Sequence, residues 1–342
     1  MKARIRMAVV TIAALISAPF SFAADDETGI FETIHASSVS FDETTAAVDA
    51  AFVSSGLVLH ASHDVRVPDE KHRARVYVMT SPTYAEAAKA ESARTVSAQV
   101  LRLAVYTQGD EQKTYINMAN PVAHAMVFYA DSSNYDDLVA AAGKAAGEVR
   151  ALVAGVPGDA QSEQQEPKRS ENHYNAYKGD GPARMMAKFR TFKKSQLLIA
   201  EDKAESFDAV IDRVTAALSA RAVAGPDDSE GWEQVALIRI SDDAVYIGLT
   251  NPYIEDKMVR INSRFRNDDK SELSPYPGVD HVAALPTEVL IIREGDETLV
   301  LHYGQMWRMQ LYFWDSGYRA FTANVGVPSA IANSIEDTIS AD

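Results

Sequence analysis

Two short stretches carry side chains of the kinds that hold ligands or soft metals. Met118, His124 and Met126 lie in the first half of this 342-residue chain, and His302, Met306 and Met309 lie in the second. Thioether and imidazole together make the donor set that copper accepts. The chain has no Cys, which excludes thiolate zinc, iron–sulfur and cysteine-nucleophile chemistry and leaves His and Met as its soft donors. Met118, His124 and Met126 therefore form a candidate metal set, set against the ordinary use of Met as a filler of core gaps. Read as strands, with Phe128 aligned to Tyr312, the two stretches alternate. Ala123, Ala125, Val127 and Tyr129 match Trp307, Met309, Leu311 and Phe313 as an apolar face. His124, Met126 and Phe128 match Arg308, Gln310 and Tyr312 as a polar and aromatic face. Such a face is solvated, pairs with a sister domain, or lines a ligand groove. These six are the candidate ligand-binding residues.

Other constellations are weaker. His60, His63 and Asp64, with His72 nearby, carry metal-ligating groups, but strand positions three apart face opposite sides. Arg102 interrupts the apolar run Leu101, Leu103 and Val105, and counting back from the Gly-Asp-Glu turns at Gly109 and Gly295 aligns it with Glu288. Unlike charges at equivalent positions either meet across a pseudo-twofold axis or are solvated separately. The stretch Arg184 to Lys194 carries five bases among apolar residues, a pattern for docking on an acidic surface or for leading into a strand. Dinucleotide, P-loop, HExxH, GxSxG and EF-hand patterns are missing from the sequence, so no motif names a cofactor or a reaction.

The elements that position these residues are written twice. Ser40-Phe41-Asp42 and Ser206-Phe207-Asp208 each open an amphipathic helix with a Ser N-cap. Val76 to Pro82 resembles Val245 to Pro252, and each is followed by an apolar strand, a Gly-Asp-Glu turn and another strand. Closing helices are expected at about 135–154 and 328–339. Strands grouped between helices predict an α+β fold with antiparallel sheets, in two tandem copies of strand–helix–four strands–helix. The expected organisation is a signal peptide over 1–23, a first domain over 24–154, a polar linker over 155–190 and a second domain over 191–342. In this order, the SFD helix, the strand ending at Pro and the Gly-Asp turn resemble the domain of unknown function 302 family. The resemblance implies a small α+β fold related to that of the TATA-binding protein, and it brings no catalytic residue with it.

Lys2, Arg4 and Arg6, the apolar run to Phe20 and the small residues Ser21 and Ala23 form a secretory address. Cleavage after Ala23 takes the formal net charge from −15 to −18. That acidity argues against nucleic-acid binding, which needs a basic face. A periplasmic or secreted protein without a membrane span in its mature chain is expected. Its expected role is non-catalytic binding of a small ligand or an envelope protein at the sheet face or between domains. Metal handling or catalysis through the His and Met positions is the alternative.

Overall fold

The computed structural model describes residues 27–69, 71–109, 111–176, 196–263, 278–314 and 324–340. Two antiparallel sheets with flanking helices make up an α+β fold. The first unit runs β1 (Thr28–Ser37), α1 (Phe41–Phe52), β2 (Val58–Val65), β3 (Ala74–Thr80), α2 (Pro82–Ala88), a 3-10 turn (Ala93–Gln99), β4 (Val100–Gln108) and β5 (Lys113–Ala119), then α3 (Pro121–Phe128), α4 (Tyr135–Val153), β6 (Gly158–Arg169) and α5 (Glu171–Ala176). The second runs β7 (Gln196–Asp202), α6 (Phe207–Ala220), β8 (Glu233–Ser241), β9 (Ala244–Thr250), α7 (Pro252–Ser263), a 3-10 turn (Val279–Ala284), β10 (Thr287–Glu294), β11 (Glu297–Tyr303), α8 (Gln305–Phe313) and α9 (Val327–Ser340).

Local chemistry sets these boundaries. The Ser40 side chain accepts from Glu43 N while Glu43 returns a bond to Ser40 N, a capping box that starts α1. Ser206 caps α6 in the same place, through Ala209 N. Each opening helix then buries one apolar stripe: Phe41, Val48 and Phe52 in α1, and Phe207, Val210, Val214 and Leu218 in α6. The β4–β5 and β10–β11 hairpins turn at Gly109 and Gly295, whose φ of 81° and 60° favour a residue without Cβ.

The strand orders correspond. The first sheet runs β2-β3-β4-β5-β1-β6 and the second runs β7-β11-β10-β9-β8, which among the described residues is the same arrangement without a sixth strand. Register makes the equivalence specific. Met79 pairs with Leu101 and Val78 with Arg102, while Leu249 pairs with Thr287 and Gly248 with Glu288. Arg102 and Glu288 thus stand at the same position in the two sheets. The 3-10 turns are exchanged: that of the second unit rests on β3, β4 and β5, and that of the first rests on β9 and β10.

Two expectations need correction. The stretches expected to end each repeat as alternating strands are the helices α3 and α8, so the proposed strand faces do not exist. Helical spacing instead puts His124 with Phe128, and Arg308 with Tyr312, on shared faces. The expected linker over 155–190 is ordered structure over most of its first half. β6 pairs with β1 as a sixth strand, which moves the end of the first unit past residue 154. The expected signal peptide, the rest of the linker and the basic stretch 184–194 lie outside the described residues.

Candidate functional site

Strand alternation sends Leu101, Leu103 and Val105 toward the helices and Arg102, Ala104, Tyr106 and Gln108 toward the second unit. Arg102 is 3% exposed and Glu288 4%, so neither charge is solvated. Arg102 Nη1 donates to Glu288 Oε1 at 2.9 Å and to the Ala284 carbonyl at 3.1 Å. Its Nη2 donates to the Tyr312 hydroxyl at 2.6 Å and lies 3.2 Å from His124 Nε2. Tyr312 Oη is 2.9 Å from the same ring nitrogen. With the guanidinium donating to the hydroxyl, the hydroxyl's own proton goes to His124 Nε2. The imidazole is thereby assigned as the neutral Nδ1–H tautomer. Burial pushes the His124 pKa well below the ordinary histidine range, and the Arg102 and Arg308 charges push it further. Arg308 donates through Nη1 to Thr287 Oγ1 at 3.3 Å, and its Nε sits 3.0 Å from Glu288 Oε2. That last contact has ion-pair distance but lacks hydrogen-bond alignment, since both atoms remain without a hydrogen-bond partner.

The arrangement is a closed latch between the units. Two guanidiniums share one carboxylate, and the neutral imidazole and a tyrosine complete the ring of contacts. Burial also pushes the Tyr312 and Tyr246 hydroxyls above the usual phenol range, so both stay protonated; Tyr312 is bonded into the latch, whereas the Tyr246 hydroxyl is buried without a hydrogen-bond partner. Among the candidate ligand-binding residues, His124, Arg308 and Tyr312 meet here. Phe128 packs edge-on against Tyr303 and Trp307, with 5.7 Å between ring centroids in each pair. Met126 is buried, and Gln310 contributes its carbonyl to Arg169 Nη2 at 2.8 Å. The copper set does not assemble. Met118 pairs with Leu103 and Glu32 and so faces the helices, where Glu32 meets Arg150 of α4. His124 Nε2 meanwhile points at a guanidinium, a poor neighbour for a second cation. His60, His63 and His72 part company, bonding to Thr80, Glu255 and Asp69 respectively. Among the described residues, no three His, Asp or Glu converge to hold a metal ion.

Glu255 of α7 clasps the far side of the interface, accepting from Arg66 N at 2.8 Å with His63 Nε2 3.1 Å away. At one rim Arg94, on the first unit's 3-10 turn, grips Glu294 of β10 through Nε and Nη2 at 2.6 and 2.9 Å. Gln196 Nε2 donates to the Arg94 carbonyl at 2.9 Å, closing that rim. At the opposite rim Asn117 Nδ2 donates to the Asp280 carbonyl at 2.5 Å. There the inner face of the first sheet is left open as a groove of about 380 Å³. Tyr106 and Tyr115, direct cross-strand neighbours, line it with their rings stacked 6.0 Å apart. Thr33, Gln108, Gln165, Glu163 and Glu166 add polar groups from the same unit, and Asp280 adds one from the other. Sequence reading missed this site because its residues come from β1, β4, β5, β6 and a turn of the second unit. The one local signal was the aromatic pair flanking the Gly109 turn.

A second pocket, lined by Met258, Met309, Phe313, Val327 and Ile331 with Arg308 at its edge, has room for about one water, near 30 Å³. Among the described residues no helix is long and apolar enough to cross a membrane. Comparison of the chain with protein-family models, with curated proteins and with solved structures finds no match.

Proposed function

We infer that this chain is an exported, non-catalytic binding protein that takes a small polar ligand in the rim groove between its two units. The observation that carries this reading is the groove's construction. It is lined from both units, it has an aromatic floor, and its volume lies within the range of small-molecule sites. The buried latch supports the same reading from the other side. His124 and Arg308 have their side chains spent on Tyr312, Arg102 and Glu288, so they hold the units in register and leave recognition to the rim. The signal-peptide pattern supports export, and the matching strand orders support an origin by tandem duplication. The resemblance to the domain of unknown function 302 family adds no chemistry.

Native mass spectrometry of the mature chain, purified from its own compartment, tests the reading. A retained small-molecule adduct is expected, and Tyr115→Ala should abolish it while circular dichroism stays unchanged. An adduct indifferent to Tyr115→Ala and Glu163→Gln, or lost only when the latch is broken by His124→Ala, would overturn the groove assignment.

A further inference from the structure

We propose that the ligand of the rim groove is a small organic cation bearing an ammonium or guanidinium group. The proposal rests on the groove being the binding site and deepens that reading. It comes from comparing two rims that the register makes equivalent. The 3-10 turns start at Ala93 and Val279, which places Arg94 and Asp280 at the same position, and the strands that follow place Glu294 and Gln108 at the same position. At the closed rim the Arg94 guanidinium fills the gap, bonded to both Glu294 oxygens and, through Nη1, to Gln196 Oε1 at 3.2 Å. At the open rim the cation has been replaced by Asp280, and the groove lies where that guanidinium would be.

The groove's surroundings match a missing cation. Glu163 and Glu166 come from β6, a strand with no counterpart among the described residues of the second unit. With Asp280 they place three carboxyl groups around the groove beside Lys168, the basic residue among its described lining, whose backbone N donates to Glu166 Oε2 at 2.8 Å. One Asp280 oxygen lies 3.2 Å from His281 Nδ1. Two of the lining amides turn their donors inward: Gln165 Nε2 reaches the Tyr106 hydroxyl at 3.4 Å, and Gln164 Nε2 donates to Glu32 at 2.9 Å. Beneath the groove, Asn117 is fully buried and spends its Nδ2 on Gln165 Oε1 and the Asp280 carbonyl. Its Oδ1 has no hydrogen-bond partner. The stacked tyrosines offer electron-rich faces, which attract ammonium and guanidinium groups. An anionic ligand would meet the wrong charge.

Isothermal titration of the mature chain with 1,4-diaminobutane, agmatine, maltose and citrate separates the possibilities. Saturable binding of a diamine or agmatine is expected. Glu163→Gln and Tyr115→Ala should each weaken it tenfold or more, and it should weaken as salt rises. Binding of maltose or citrate, sensitive to the same two variants and without binding of either cation, would overturn the cation class while leaving the groove as the site. Cation binding unaffected by either variant would overturn both. So would a failure of all four to bind together with a native mass spectrum free of any adduct. Asp280→Arg, which supplies the guanidinium of the closed rim, should occlude the groove; should it fail to fold, Glu163→Gln carries the test alone.

Discussion

The first unit sets an arginine beside a neutral histidine where the second sets a glutamate beside an arginine. Arg102 contacts His124 at 3.2 Å within its own unit, and Glu288 contacts Arg308 at 3.0 Å within its own. His124 and Arg308 are themselves equivalent, each four residues past the residue that caps its helix, Asn120 and Gly304. The same geometry is therefore used twice with opposite charge at its centre. In a twofold-symmetric pair of like units, this position would face its own copy. Two first units would bury Arg102 against Arg102, and two second units Glu288 against Glu288. Only the unlike pairing satisfies both, so the charges select contact within the chain over pairing of like units between chains. That selectivity, more than net stabilisation, is what a buried ion pair is best placed to supply.

The comparison breaks most severely at Glu288, because one carboxylate serves two guanidiniums. Glu288→Ala leaves Arg102 and Arg308 buried together without a counter-charge, and a loss of about 3–5 kcal/mol is expected in urea unfolding. Arg102→Met should cost less, since Arg308 still compensates Glu288. The exchange of Arg102→Glu with Glu288→Arg restores a pair across the interface. It also sets a carboxylate beside His124 and a second guanidinium beside Arg308. It should remain destabilised, whereas full rescue would show that the position is symmetric after all.

A steric difference sits next to the electrostatic one. Val78 of the first sheet corresponds to Gly248 of the second, where a Cβ would come within 2.6 Å of Pro286 Cγ and 3.3 Å of Ala236 Cβ. Gly248→Val copies the first unit's residue into a space the Pro286 ring has taken. Overpacking of this kind costs about 1–3 kcal/mol, read as a lowered melting temperature. An unchanged melt would mean that β9 and Pro286 can separate at no cost.

Legibility from sequence followed the same lines. The capped helices α1 and α6, the Gly-turn hairpins and the closing helices α4 and α9 announce themselves, because each is specified by residues within a few positions of one another. The Arg102–Glu288 pair was also reachable, since counting back from an antiparallel turn gives register directly. α3 was misread because seven of its eight residues are buried, which erases the helical stripe and leaves a pattern that alternation fits as well. The overlooked signal was Asn120-Pro121, an N-cap followed by Pro, the same start that Ser81-Pro82 gives α2 and Asn251-Pro252 gives α7. β6 was hidden differently. It is a polar edge strand, so its composition matches a linker and only its pairing with β1 reveals it. The groove depends on that pairing and was invisible with it.

Protonation offers a gentler way to probe the latch. His124 faces Arg102, Arg308 and the Tyr312 hydroxyl, and its folded pKa lies well below the ordinary 6.5. His302 is shifted in the same direction, by burial against the partial relief of Glu336. The unfolded chain thus binds protons that the folded chain refuses once pH drops below about 6.5. Stability should be fully present above that value and decline as pH falls toward the folded pKa values, by up to about 1.4 kcal/mol per pH unit for each group. Urea midpoints measured between pH 7.5 and 5 read this slope. His124→Asn should flatten it, and a slope unchanged by His124→Asn would assign the whole effect to other groups.

The smallest effect is expected at the rim that is already closed. Arg94 and Glu294 are partly exposed, at 20% and 41% of their side chains, so water and salt screen the pair. Arg94→Ala should cost no more than about 1 kcal/mol by the usual worth of such bridges. Its value lies in what it opens. Removing the guanidinium leaves Glu294 and Gln196 facing an empty position like the one between Asp280 and Gln108. If the open rim binds cations because it lacks this side chain, the Arg94→Ala protein should gain a second, weaker site for guanidinium ion. That site should vanish again in the double variant with Glu294→Gln. No gain of binding in the single variant would mean that β6 and the tyrosine pair, rather than the missing arginine, make the open rim a site.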